Sequence, residues 1–412
     1  MNDLAISPLA PASFPKMFPV AGAALATAGL GIKYRGRDDV LLMGFVPGTT
    51  VAGVFTKSLC PGAPVDWCKA HIKRGTARAL VVNAGNANAF TGAAGIATTR
   101  SIAQAIAAGL GVAPEDVYQA STGVIGEVLP AAPIANAAPQ LIQAMNETNW
   151  KAAAEAIRTT DTFAKGASTQ IMVGGTLCTI TGIAKGSGMV APDMATVLAH
   201  VVTNCAIAAP ILQYILSEVN SRTFNCITVD GDTSTSDMVL LFATGQADSP
   251  PITELDDQRL PTFTKALESV MADLARQVVR DGEGASKFIT VNISGAISNE
   301  SAEIIAHAVA NSPLVKTAIA GADANWGRVV MAVGKAGQPV SRDRLKISIG
   351  GIMITDGGKV RDDYHEADVQ SHMDGDDIDI SVNAGTGGSG EAKVWTCDLT
   401  HGYIKINGDY RS

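Results

Sequence analysis

Short apolar runs and longer amphipathic stretches alternate along the whole chain. This mixed order predicts an α+β protein with helices layered on sheets, not a doubly wound parallel sheet. Residues 41–46 and 50–56 read as a hairpin about Pro47-Gly48, and residues 169–173 and 177–183 as another about Gly174-Gly175. Residues 79–82 read as a strand that ends in the polar run Asn83-Ala84-Gly85-Asn86-Ala87-Asn88, a turn or loop where side-chain amides can satisfy backbone groups. Further strands are expected at 117–120, 197–202, 227–229, 238–242 and 287–294. Helices are expected at 98–110, at 210–220 and at 326–333, the last capped by Asp323 or Asn325. Residues 131–158 read as two helices parted near Glu147-Thr148-Asn149, and 260–280 carry the longest helical pattern. A weak break at 284–286 divides the chain into 1–285 and a smaller mixed unit, 286–412.

Composition narrows the picture. The chain has 412 residues, 47% hydrophobic but only 5% aromatic, so its cores rest on Ala, Val, Ile and Leu. Net charge is −8 with no basic run, which argues against nucleic acid or an anionic membrane as partner. No segment reaches the roughly 18 apolar residues of a bilayer span. Residues 18–30 have a signal-like apolar character but lack a basic leader and follow several prolines, so they read as mature, cytoplasmic sequence. The six cysteines are dispersed without metal-like spacing, and no metal site is expected.

Two glycine patterns imitate nucleotide loops. Gly385-Thr386-Gly387-Gly388-Ser389-Gly390 is followed by a strand pattern instead of a helix, so a hairpin turn is expected there. Gly186, Gly188 and Ala191 fit a similar spacing, but Pro192 follows and no βαβ context surrounds them. The loop 230–237 (DGDTSTSD) offers three carboxylates without calcium-loop spacing and reads better as a polar turn lining a cleft. Ser121-Thr122-Gly123 closes a strand, where a hydroxyl and backbone N–H groups can meet a developing oxyanion.

The most informative stretch is residues 185–196 (KGSGMVAPDMAT). A threonine hydroxyl needs an adjacent base, and the α-amine of the same residue can be that base once the preceding bond is cut. Thr196 is a nucleophile on this logic only if the Ala195–Thr196 bond is broken first.

Together these segments resemble the ornithine acetyltransferase (glutamate N-acetyltransferase) family along nearly the whole chain. The resemblance rests on Gly31-Ile32-Lys33-Tyr34, 49–56 (TTVAGVFT), 81–92 (VVNAGNANAFTG), 121–126 (STGVIG) and Thr159-Thr160-Asp161-Thr162. It continues through 185–196, 224–237 (FNCITVDGDTSTSD), Gly282-Glu283-Gly284-Ala285, Asn325-Trp326-Gly327-Arg328 and the tail 405–412. It implies a layered αββα core of N-terminal-nucleophile type with a smaller C-terminal α/β domain. It also implies self-cleavage into an α chain, 1–195, and a β chain, 196–412, paired as an α2β2 heterotetramer.

The implied reaction belongs to arginine biosynthesis. Thr196 takes the acetyl group from N-acetylornithine and passes it to glutamate, with Thr122 and Gly123 as oxyanion hole. Thr159, Lys185, Glu283, Asn407 and Ser412 contact substrate, with Thr160 the neighbour if the alignment shifts by one. No cofactor is implied, and acetyl-CoA is a candidate second acetyl donor. Related aminopeptidases and amidases are the alternative, although they generally carry serine at the cut. Asp193, His200 and Asn204 depart from what is common in the family, and Ser412 replaces a common threonine while keeping the hydroxyl.

Overall fold

The computed structural model describes residues 5–191 and 197–408. The first part of the chain forms β1 (Ala23–Ala28), β2 (Val40–Phe45), β3 (Thr50–Phe55), α1 (Ala63–His71), β4 (Ala79–Asn86), α2 (Gly92–Leu110), β5 (Val117–Val124), α3 (Ala131–Ala144) and α4 (Trp150–Ala156). Next come β6 (Lys165–Val173), β7 (Thr176–Lys185), β8 (Leu198–Thr203), α5 (Ala209–Ser221), β9 (Met238–Ala243) and α6 (Leu260–Arg280). The remainder forms β10 (Phe288–Ala296), α7 (Asn299–Ala310), α8 (Pro313–Ala320), α9 (Trp326–Gly334), β11 (Lys346–Ile349), β12 (Ile352–Asp356) and β13 (Lys359–Val360). It ends with α10 (Glu366–Met373), β14 (Asp377–Asn383), β15 (Gly390–Cys397) and α11 (His401–Gly408).

Two sheets stack face to face, one ordered β1-β2-β4-β5 and the other β3-β9-β8-β7-β6. β2 shows why: its run VLLMGF is buried on both faces. Leu41, Met43 and Phe45 meet Met238, Leu240 and Phe242 of β9 in the layer between the sheets, where the Phe45 and Phe242 rings stack at 4.4 Å. Val40 and Leu42 face Ile102, Ile106, Ile134 and Leu141 of α2 and α3. On the far side, Phe263, Leu267, Met271, Leu274 and Val278 of α6 cover the second sheet together with α5. The layers are therefore helix, sheet, sheet, helix, the αββα arrangement the resemblance implied. The last third builds a six-stranded sheet, β13-β12-β11-β14-β10-β15, with its own core under α7 to α10. Among the described residues no helix is long and apolar enough to cross a membrane.

The expected helix at 260–280 is α6, and Asn325 caps α9 by accepting a hydrogen bond from the Arg328 amide. Several other expectations are corrected. Residues 41–46 and 50–56 are strands but not a hairpin. β2 pairs with β1 and β4, whereas β3 pairs with β9, so Pro47-Gly48 carries the chain from one sheet to the other. The polar run after residue 82 is not a loop at first. β4 continues to Asn86 and β5 through Thr122 and Gly123, because the two pair in parallel along their whole length. α2 starts at Gly92, well before residue 98. Residues 227–229 form no strand, and only Ile227 makes an isolated bridge, to Trp395. The loop 385–390 is not a hairpin turn either, since β10 lies between β14 and β15. Its glycines are needed for close passage: a Cβ on Gly388 would lie 2.1 Å from the Ala296 carbonyl oxygen.

Two buried charged or titratable groups stand out. Lys165 is fully buried at the start of β6, and its Nζ lies 2.7 Å from Asp161 Oδ1 and 2.5 Å from Asp281 Oδ2. Burial disfavours the Asp161 carboxylate, but Lys165 and Lys185 hold it well below the usual carboxylate range. His200 is fully buried in mid-β8, in register with Ile183 and Leu240, and neither of its ring nitrogens has a hydrogen-bond partner among the described residues. Burial lowers it to about 3.

Lys165→Met leaves two carboxylates buried without their cation and is expected to cost about 3–5 kcal/mol in a denaturant titration. A loss under about 1 kcal/mol, the value of an exposed pair, would mean that the node is solvated. For His200, the unfolded chain gains a proton below about pH 6.5 while the folded chain stays neutral to about 3. Its contribution is therefore intact above pH 6.5 and is lost as pH falls, by roughly 1.4 kcal/mol per pH unit at most. His200→Leu should flatten that acid limb in Tm measured against pH. Parallel wild-type and variant profiles would refute this.

Candidate active site

A cleft enclosing about 160 Å³ opens where the ends of β4 and β5 in the first sheet meet the ends of β7, β8 and β9 in the second. Its first wall is Thr122-Gly123. Gly123 takes φ +127°, and a Cβ there would lie 2.3 Å from the Gly85 carbonyl carbon, so only glycine allows β4 and β5 to close this tightly. The Asn-rich run stiffens the same corner. Asn83 Nδ2 donates to the Asn86 carbonyl at 2.8 Å, Ser121 Oγ donates to Asn83 Oδ1 at 2.6 Å, and Asn86 Oδ1 accepts the Asn88 amide at 2.8 Å.

The opposite wall is Lys185, Gly186 and Gly188 with Glu283 and Asn407. The Glu283 amide donates to the Ser187 carbonyl at 2.8 Å, and Asn407 Nδ2 donates to Glu283 Oε2 at 2.6 Å. A Cβ on Gly188 would sit 2.4 Å from Glu283 Oε2, so the carboxylate lies directly against bare backbone. Burial pushes the Glu283 carboxyl up, partly opposed by the bonds from Asn407 and Thr160. A cation entering the cleft would remove that penalty. α11 is brought to this wall by Gly284, whose φ of +74° and missing Cβ let Gly402 and Tyr403 pack on it, while Thr400 Oγ1 donates to its carbonyl at 2.6 Å.

Thr159 and Thr160 both line the cleft, and the Thr160 and Ser187 hydroxyls lie 2.7 Å apart. Asp161 ties this loop to the opposite wall, accepting the Thr159 amide at 3.0 Å and the Gly186 amide at 2.7 Å. The loop from Ser234 to Asp237 forms the remaining side, as the polar-turn reading expected. Asp237 is buried, which raises it to about 8, so its carboxyl is largely protonated at neutral pH and able to donate. Among the described residues no group of three or more His, Cys, Asp or Glu is placed to hold a metal.

The structure thus brings Thr122, Gly123, Thr159, Lys185, Glu283 and Asn407 to one cleft, together with Val197. Ala195, Thr196, Asp193 and Ser412 lie outside the described residues. The flanks of the junction are held firmly. Asp230 accepts the amides of Met189 at 2.7 Å and Val190 at 2.9 Å, and Met238 donates to the Val197 carbonyl at 3.0 Å. Met189 adopts φ +54°, a left-handed conformation that the Asp230 bonds keep in place. Sequence reasoning weighed Asp230 and Asp237 only as carboxylates of a cation loop or polar turn, quoted Asp161 without giving it a role, and missed Lys165 and Asp281. The one available signal was charged groups next to strand and helix ends otherwise rich in apolar residues.

The ArgJ family pattern matches residues 24–412. The arginine biosynthesis bifunctional protein ArgJ of Gluconobacter oxydans is 54% identical over 411 residues, covering 100% of this chain and 96% of that protein. The protein of the same name from Brucella suis is 53% identical, covering 99% of each. The crystal structure of arginine biosynthesis bifunctional protein ArgJ from Bacillus halodurans shares 41% identity over 50% of this chain and 96% of that chain, with a TM-score of 0.48. On the full-length match of sequence, the chain belongs to the ArgJ family.

Proposed function

We propose that this protein is a self-cleaving acetyltransferase of arginine biosynthesis, moving an acetyl group from N2-acetylornithine to glutamate through Thr196. The observation that carries this reading is the cleft beside Val197, the residue after Thr196, which gathers Thr122-Gly123 and the opposite charges of Lys185 and Glu283 from three separate segments. The full-length relatives named for arginine biosynthesis support the same pathway.

Processing comes first. Thr196 Oγ1 attacks the Ala195 carbonyl carbon, the Ala195–Thr196 amide becomes an ester, and water hydrolyses it. This leaves the carboxylate of Ala195 and the free amine of Thr196. In turnover that amine takes the hydroxyl proton as Oγ1 attacks the acetyl carbonyl. The developing oxyanion is met by Thr122 and the Gly123 backbone, an interaction that typically contributes on the order of 10²–10³ in rate. The proton then passes to the departing ornithine nitrogen. Glutamate's amine attacks the acetyl-threonine ester and releases N-acetylglutamate. Both exchanges move one acyl group between nucleophiles, so no external energy source is needed.

Both substrates are amino acids with a carboxylate. Lys185 suits that carboxylate, and Glu283 suits an ammonium, whose arrival relieves the burial of the acid. Thr159, Asn407 and Ser412 complete the substrate contacts. The two chains stay together as an α2β2 heterotetramer in the cytoplasm. Acetyl-CoA serves as a second donor, a reading supported by the word bifunctional in the relatives' names.

Thr196→Ala is expected to remain one uncut chain on a denaturing gel and to lose acetyl transfer, whereas the wild type yields two fragments, the second beginning at Thr196. A variant that still splits at this bond would sink the mechanism. With acetyl-CoA and glutamate as the only substrates, the wild type should form N-acetylglutamate. Absence of product from enzyme that remains active with acetylornithine would restrict it to acetyl recycling.

A further inference from the structure

At the end of the second sheet farthest from the cleft, two cysteines face each other across neighbouring strands. Cys178 lies near the start of β7 and Cys205 just past the end of β8. Their sulfurs are 3.2 Å apart, and both residues are buried, at 0% and 1% exposure. All six cysteines are free thiols. The register runs Ile180 opposite Thr203, and just beyond it the Asn204 amide donates to the Thr179 carbonyl while the Thr179 amide donates to Asn204 Oδ1, which holds the strand ends carrying Cys178 and Cys205 together. The 3.2 Å between the sulfurs compares with about 2.05 Å in a disulfide. Closing the bond therefore needs a sulfur shift of about an ångström, not a movement of strands.

Cys178 comes before Ala195 and Cys205 after Thr196. We propose that Cys178 and Cys205 are an oxidation site, and that their disulfide becomes a covalent tether between the two fragments once the chain has cut itself. The tether rests on the processing reading above, whereas formation of the disulfide does not. The two thiols are linked by one S–H···S hydrogen bond. That shared bond holds Cys178 below the ordinary thiol range, with the nearby Arg259 charge acting in the same direction.

With hydrogen peroxide as oxidant, the Cys178 thiolate attacks the O–O bond and becomes a sulfenic acid, releasing hydroxide. The Cys205 sulfur then attacks Cys178 Sγ and expels the second oxygen as hydroxide. The two thiol protons convert both hydroxides to water, so two thiols and one peroxide give one disulfide and two waters. The pair lies close to the surface in sequence, since the neighbouring Leu177 is exposed and Gly174-Gly175 form the adjoining turn, and peroxide is the small oxidant suited to so buried a pair. From this position, at the far ends of β7 and β8, the bond leaves the Lys185 end of the sheet unaltered.

The test treats purified, self-processed protein with hydrogen peroxide, blocks remaining thiols and compares non-reducing with reducing gels. The expected result is loss of both fragment bands in favour of one full-length species without reductant, and their return with dithiothreitol. Peptide mass mapping should show Cys178 joined to Cys205 with the loss of two hydrogens. Cys178→Ala and Cys205→Ala should each abolish the joined species while still self-cleaving. Fragments that separate without reductant, or a mapped peptide with both thiols still alkylated, would overturn the proposal. If the protein proves uncut even when reduced, the processing reading and with it the tether fail, and the mapped peptide still decides the oxidation site.

Discussion

The buried Lys165 ammonium is the contact on which the cleft depends. It is shared by Asp161 and Asp281, which come from the loop before β6 and from the end of α6. Each carboxylate spends its remaining oxygen capacity on backbone. Asp161 takes the amides of Thr159 and Gly186, while Asp281 takes the amide and hydroxyl of Thr162. One cation thus fixes the threonine wall, the turn after Lys185 and the helix end that leads directly into Gly282 and Glu283. Buried ions are costly to desolvate, and such a cluster persists only when every lone pair is used. The energy serves placement: Lys185 and Glu283 project from segments anchored to the same node, so their spacing cannot drift independently.

Much of this was legible in the sequence and some was not, for physical reasons. α6 reads clearly because its apolar stripe is strictly local, at Leu260, Phe263, Leu267, Val270, Leu274 and Val278. The mistaken hairpins at Pro47-Gly48 and at 385–390 arose because a turn signal reports a change of direction and says nothing about which sheet receives the next strand. Both-face burial of β2 and β3 was the available hint, since a two-stranded ribbon at a surface would alternate. At the site, Thr122, Lys185, Glu283 and Asn407 were legible through resemblance, because their motifs are contiguous in sequence. The Lys165–Asp281 pair joins residues 116 positions apart and leaves no periodic trace. Asp237 is invisible for a related reason, because only the closing of the cleft over it changes its chemistry.

His200 illustrates the opposite case. Its place in an apolar strand is visible in sequence, and it has no hydrogen-bond partner among the described residues. An imidazole occupies a position where Ile183 and Leu240 set the pattern, and burial keeps it neutral. The inter-sheet layer tolerates it because the neighbouring aliphatic and aromatic packing carries the energy of that layer.

The second sheet also explains how a chain can be cut in its middle without falling apart. Its strand order is β3-β9-β8-β7-β6, so the two strands from after residue 195, β9 and β8, are enclosed between strands from before it. β7 hydrogen-bonds to β8 directly across the junction, and β3 clasps β9 from the other edge. Cutting between them removes one covalent link but no ladder bond. On either side, Asp230 holds Met189 and Val190, and Met238 holds Val197. The described residues on either side of 192–196 are therefore each fixed by hydrogen bonds to other segments. On the proposed processing, such an arrangement suits a bond that must be held for attack before cleavage and must leave its new amine in place afterwards, because the anchoring hydrogen bonds lie outside the bond that is cut.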